Sequence, residues 1–352
     1  MRLDIDGRNC ELESGRSILD AVKKEGLDSI MLSDRPLAAQ IGGEVFNLRF
    51  TPKKDTQIHL LRYGEDMGRR VYERTLQFLF ILAMRKEFPR ARVCVRYSLG
   101  PGLFITVDGM EEPFNEEAAL KVETEMRRLV RLKLPLERRR ISIKEALSFY
   151  EQDGQADKAK LLKWRRFSYF DVYQIDGYMD YFYGEMAPDT SYADVFRVKY
   201  VHDGAVVLLM PRSDAPDVPS DYVDLPKLHA VFHQSDEWGK LMECATVNDL
   251  NTHMQNGTIR ELVRINEALH DRGYADIADK IVQKGAKAVL VAGPSSSGKT
   301  TSAHRISTQL RLQGCHPVML SLDDYYIDRD KIERDENGEI DLENINTLDI
   351  QR

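Results

Sequence analysis

Residues 288–300 read AVLVAGPSSSGKT, an apolar run that breaks into a glycine- and serine-rich turn and closes on lysine and threonine. Five apolar residues in a row suit a parallel strand buried on both faces. Gly293, Gly298, Lys299 and Thr300 fall at every fixed position of G-x-x-x-x-G-K-[ST]. That spacing has a narrow physical meaning. The glycines let the backbone curl so that successive N–H groups point inward at phosphate oxygens, and a following helix aims the positive end of its dipole at the same place. The expected phosphate ligands are Gly293, Ser295, Ser296, Ser297, Gly298, Lys299, Thr300 and Thr301. Lys299 is placed to reach the β- and γ-phosphates of ATP and to act in catalysis, with the Thr300 hydroxyl on Mg²⁺.

Downstream, a helix is expected over 299–313, ending at Gly314, and a second strand over 317–321. The two strands and the helix would make a β-loop-α-β unit, the start of a parallel α/β domain. The second strand runs into Asp323-Asp324-Tyr325-Tyr326. Carboxylates at the C-terminal end of such a strand lie in the ligand crevice. Asp323 is therefore the candidate catalytic base and Asp324 a candidate cap of the next turn. Tyr326 is suited to stacking on a base or to a place in the core.

VLVAGPSSSGKTT, SLDDYY and DLENINTLD in this order resemble the uridine kinase and phosphoribulokinase family. The resemblance implies ATP and Mg²⁺ as cofactors and phosphoryl transfer to the 5′-hydroxyl of a uridine- or cytidine-like nucleoside. A phosphoribulokinase-like acceptor is its variant. It also implies Asp323 as base and Tyr326 and Glu343 as nucleoside contacts, although Ile345 stands where that family has proline and Glu343 suits a solvated surface acid as well. Residues 287–352 would be the first part of the kinase domain only, since an α/β domain of this kind needs roughly 150–200 residues. The expectation is a fragment of a longer protein with open apolar strand edges.

Upstream, alternating residues at 2–6 and a short second strand precede a helix opened by Ser17, with Ile18, Leu19 and Val22 on one face. Strands at 37–41, 44–48 and 57–61 follow, a β-grasp-like order. Residues 1–62 resemble the TGS domain at the front of threonyl-tRNA synthetases. Residues 63–250 resemble the second additional, editing domain of those enzymes, through GRRVYERTLQFLFILAMRKEFP, YSLGPGLFITVD and YFYGEMAPDTSY. Helices are expected at 68–87, 116–134 and 142–153, strands at 93–97 and 103–107, and an exposed loop at 214–219. The editing residues are missing: its paired histidines fall at Arg74 and Phe78, its later cysteine and histidine at Phe182 and Met186. A connecting helix occupies 251–286, with apolar residues Ile259, Leu262, Val263, Ile265 and Leu269 at helical spacing in a helix expected over about 258–283. The order of domains resembles a group of uridine kinase-like bacterial proteins, so the fold class expected is multidomain α/β and α+β.

Composition narrows the remaining readings. The net charge of −7 gives no global basic field for nucleic acid. Arg127, Arg128, Arg131, Lys133 and Arg138–Arg140 could face RNA phosphates, but Glu123, Glu125 and Glu137 are interleaved, which favours a solvated, internally paired face. An RNA- or ribosome-associated protein using ATP as a switch is thus the alternative, with RNA a less favoured partner than a nucleoside. His229 and His233 stand four apart without a third metal ligand nearby. Four scattered cysteines, no secretory h-region and no apolar run long enough for a bilayer point to a reducing cytoplasm and away from the membrane.

Overall fold

The computed structural model describes residues 1–202, 204–332, 334, 340–341 and 344–349. It divides into two compact units, Met1–Asn248 and Asp249–Arg352.

The first unit opens with β1 (Arg2–Ile5), β2 (Arg8–Glu11), α1 (Ile18–Lys24), β3 (Ala38–Ile41), β4 (Glu44–Phe46) and β5 (Thr56–Leu61). The strands form one sheet in the order β2-β1-β5-β3-β4, with β1 and β5 parallel at its centre. α1 starts where it does because Ser17 and Asp20 cap each other: the backbone N–H of Asp20 donates to the Ser17 hydroxyl while Ser17 N–H donates to the Asp20 carboxylate. Ile18, Leu19 and Val22 then pack on Leu3, Ile5, Ile58 and Leu60 of the sheet.

α2 (Asp66–Glu87) follows after a tight turn. Gly68 makes that turn possible, because a Cβ there would lie 1.9 Å from the carbonyl oxygen of Arg62. Most of the circumference of α2 is buried, from Val71 to Met84, so the apolar run 76–84 is a core helix. Next come β6 (Arg92–Leu99), β7 (Gly102–Asp108), α3 (Glu116–Leu132), β8 (Glu137–Ser142), α4 (Ile143–Gln152), α5 (Ala156–Leu162), β9 (Tyr169–Ile175), β10 (Tyr178–Asp180), β11 (Arg197–His202) and β12 (Ala205–Leu209). They give an antiparallel sheet β11-β12-β7-β6 and a smaller one, β10-β9-β8. Side chains alternate across the larger sheet. Leu103, Ile105, Val107, Val206 and Leu208 face the main core with α2 and α3, while Phe104, Val207 and Leu209 form a second cluster with Leu99 and Ala205. β13 (Pro211–Arg212) and β14 (Ala215–Pro219) form a hairpin where the sequence suggests a loop. The unit also contains α6 (Pro226–Leu241).

α7 (Val247–Asn256) leads into the second unit, built on α8 (Ile259–Lys284) and α9 (Lys299–Leu312). Ile306 and Leu310 of α9 pack on Ala278, Tyr274 and Ile281 of α8. The strands expected at 288–292 and 317–321 do not form, so the parallel kinase sheet of the sequence reading is corrected. Leu290, Val318 and Leu320 are largely exposed. A strand is stable only through its ladder partners, and the described residues of this unit supply none.

Candidate phosphate loop and front-unit cleft

The loop before α9 keeps the curled path that its spacing implies. Ser296 and Gly298 adopt left-handed backbone angles, φ +61° and +84°, and Ser297 N–H donates to the Pro294 carbonyl at 3.2 Å. A Cβ on Gly293 would fall 2.7 Å from the Ser297 hydroxyl oxygen, so a larger residue there would make that hydroxyl turn aside. Lys299 folds back over the loop, its Nζ donating to the carbonyls of Gly293 (2.8 Å) and Pro294 (2.9 Å). No side chain caps α9, which leaves its first N–H groups available at the mouth of the loop. Ser295, Ser296, Ser297 and Thr300 are exposed beside Lys299, and Thr301 is exposed one position further on. A curled backbone, an ammonium and exposed hydroxyls fit a polyphosphate.

The other expected residues lie apart from that cradle in character. Asp323 sits exposed in a 3-10 turn, Leu322–Tyr325. Tyr326 forms an isolated antiparallel bridge with Leu348, and Asp349 N–H donates to the Tyr325 carbonyl at 2.7 Å. Glu343 lies outside the described residues.

In the first unit the four positions that the resemblance matches to editing residues, Arg74, Phe78, Phe182 and Met186, surround a filled space. Phe78 and Met186 are fully buried, and the rings of Phe78 and Phe182 are 5.3 Å apart. Arg74 reaches across and donates through Nε to the Glu185 carbonyl at 2.9 Å. Aromatic rings and a thioether occupy the space, and no group of metal-binding side chains is present among the described residues.

Near the start of α2 there is a cleft of about 660 Å³. Arg69 and Arg70 enter it from α2 and Arg212 from the β13–β14 hairpin, with Ser98 on its wall. Arg69 is paired with Asp66, and Arg212 with Asp214 at 2.6 Å. Arg70 is exposed and has no ion-pair partner among the described residues. Glu73 lines the same wall, half-buried, and burial raises its carboxyl above the usual range. The sequence singled out none of these residues, because they meet only when the hairpin folds against α2. Of the arginines it did single out, Arg127 pairs with Glu123, Arg128 with Glu125, and Arg138 and Arg140 with Asp171, while Arg139 donates to Gln174.

No family model matches the chain. Among curated proteins it is similar to threonine–tRNA ligases. That of Clostridium kluyveri is 25% identical over 194 residues, covering 55% of this chain and 30% of the ligase. That of Carboxydothermus hydrogenoformans is 27% identical over 175 residues, 47% and 26% respectively. That of Acetivibrio thermocellus is 28% identical over 160 residues, 45% and 24%. The chain thus spans under a third of the length of the curated relatives it matches. The similarity fits the TGS and editing-like reading of the front of the chain. It overturns the kinase reading. The relatives are tRNA ligases, so phosphoryl transfer to a uridine or cytidine hydroxyl, nucleoside salvage and a free nucleoside as partner do not stand. That reading rested on short motifs in 287–352, whereas the similarity to ligases runs over half the chain. No helix among the described residues is long and apolar enough to cross a membrane.

Proposed function

We propose that the first unit binds RNA of the tRNA class and that the phosphate loop takes ATP as a switch on that binding. The observation that carries it is the similarity over 194 residues to threonine–tRNA ligases, proteins named for action on tRNA. The organisation proposed with it is a TGS domain at 1–62, an editing-like domain at 63–250, a connecting helix at 251–286 and a phosphate-loop segment at 287–352. Editing hydrolysis is not part of the function, because rings and a thioether fill the place of its residues.

The cleft of Arg69, Arg70 and Arg212 is the proposed phosphate contact. Exposed ion pairs such as Arg212–Asp214 are weak, so an RNA phosphate displaces the carboxylate at small cost. Arg69, Arg70 and Arg212 share the cleft with Asp66, Glu73 and Asp214, so the contact rests on Arg70, which has no ion-pair partner among the described residues, and on release of the other two from their carboxylates. At the loop, Gly293, Ser295, Ser296, Ser297, Gly298, Lys299 and Thr301 would hold the phosphates of ATP, and the Thr300 hydroxyl its Mg²⁺. Asp323, Tyr326 and Glu343 have no assigned part in this function.

Fluorescence anisotropy with labelled tRNA tests the reading. Affinity should fall linearly with the logarithm of salt concentration, and Arg70→Glu with Arg212→Glu should weaken it at least tenfold. Addition of Mg-ATP should change the affinity several-fold in the wild type and leave Lys299→Ala unmoved. Absence of tRNA binding at low salt would sink the proposal.

A further inference from the structure

Helix α6 is 16 residues long and has no buried residue, yet it lies on the second apolar face of the β11-β12-β7-β6 sheet. Its attachment is an aromatic and imidazole cluster. Phe232 stacks on Tyr97 with ring centroids 4.2 Å apart and planes 19° from parallel. The Tyr97 hydroxyl lies 2.7 Å from His229 Nδ1. The His229 ring is 4.8 Å from Phe104, 5.2 Å from His202 and 6.3 Å from His233. Beneath it, Phe104, Val207 and Leu209 are buried, and Tyr222 and Leu225 complete the seal. An element with so little buried surface belongs to the low-stability end of a structure.

Three imidazoles grouped on one attachment point make it sensitive to protons. We propose that α6 is a cover released by acid: protonation of His229, between His202 and His233, detaches the helix and exposes the apolar sheet face. The hydrogen bond to Tyr97 can reverse direction, since a phenol oxygen also accepts. The cost lies in placing a charge against rings and near two more imidazoles. β6 supplies Tyr97 with Arg96 and Cys94 beside it, β11 supplies His202 with Lys199 on the same face, β7 supplies Phe104 with Asp108 at its end on the same face, and β12 supplies Val207. The approach to α6 supplies Asp224, and α6 itself supplies His233, Asp236 and Glu237. Asp224 favours the charged ring. Burial and the two neighbouring histidines outweigh it and hold His229 below the usual histidine range. A depressed histidine stabilises the attached state at neutral pH, and that contribution is lost as pH falls from about 6.5 toward the lower value of the attached state.

The test uses the full chain. Hydrogen exchange, corrected for the intrinsic pH dependence, should show residues 226–241 losing protection between pH 7.5 and 5.5, by up to about tenfold per pH unit for one proton. The β1–β5 sheet should keep its protection. In a Trp164→Phe background, Trp238 is the remaining tryptophan and its emission should follow the same transition. His229→Gln should abolish the pH dependence. Should that variant be detached at every pH, His202→Gln with His233→Gln provides the second arm. It leaves His229 in place and should shrink the transition. Unchanged protection of α6 across the range, or a transition of equal size in these variants, would overturn the proposal.

Discussion

The guanidinium of Arg35 meets the carboxylate of Asp194 at two points, Nη1–Oδ1 at 2.9 Å and Nη2–Oδ2 at 3.0 Å. The Arg35 side chain is only 9% exposed, and its remaining donors go to the carbonyls of Ser29, Ile30, Ser191 and Tyr192. One side chain therefore joins the loop before β3 to the segment before β11. Arg35→Ala leaves Asp194 and these carbonyls unsatisfied and should cost about 3 kcal/mol. Urea denaturation of the first-unit transition reads this directly. A loss below about 0.5 kcal/mol would show the pair to be incidental.

Phe78 is fully buried among Phe182, Tyr178 and the α2 core. Phe78→Ala should destabilise by about 3–5 kcal/mol through lost burial and the cavity left behind. Phe182→Ala, at a partly buried position, should cost less. The order of the two denaturation midpoints checks the assignment of Phe78 to the core.

His59 bridges Glu65 and Asp6, at 2.7 and 2.8 Å, and these carboxylates raise it above the usual histidine range. Its contribution is complete below about pH 6.5 and is lost as pH rises through the raised value. NMR titration of the His59 ring should show a midpoint above 6.5. His59→Gln should remove the corresponding alkaline loss of stability. Because the site is half-exposed, the effect should also weaken with salt.

Among the described residues Lys299 donates only to loop carbonyls. Lys299→Ala should therefore change thermal stability little, within about 0.5 kcal/mol, while weakening binding of a fluorescent ATP analogue at least tenfold. Equal affinity in the two proteins would remove Lys299 from the phosphate site.

Local chemistry made the helices legible. Ser17 announces α1, and the apolar periodicity of α2, α3 and α8 places each within about two residues of its observed ends. Non-local pairing was hidden. β8 reads as a basic tail of α3 because Arg138, Arg139 and Arg140 look alike in sequence; their partners Asp171, Gln174 and Glu185 lie more than thirty residues away. α6 has a weakly apolar pattern because it is held by rings and imidazoles on one side only. Residues 288–292 and 317–321 show the converse: a strand-like composition without the neighbours that make a strand. The Arg69–Arg70–Arg212 cleft depends on a hairpin that the proline-rich stretch 214–219 disguises as a loop.

Asn47 donates to the Met186 carbonyl at 2.8 Å, and Arg49 to that of Pro188 at 2.9 Å. The five-stranded sheet and the segment beyond it are thus fastened through backbone acceptors at Met186 and Pro188. Severing the chain at position 62 would take the Asn47 donor from the carbonyl of the fully buried Met186, while the Pro188 carbonyl would keep the Leu136 N–H. The seam that looks cleanest in the sequence is therefore a poor place to cut, and the two front domains are best regarded as one inheritable and one purifiable object.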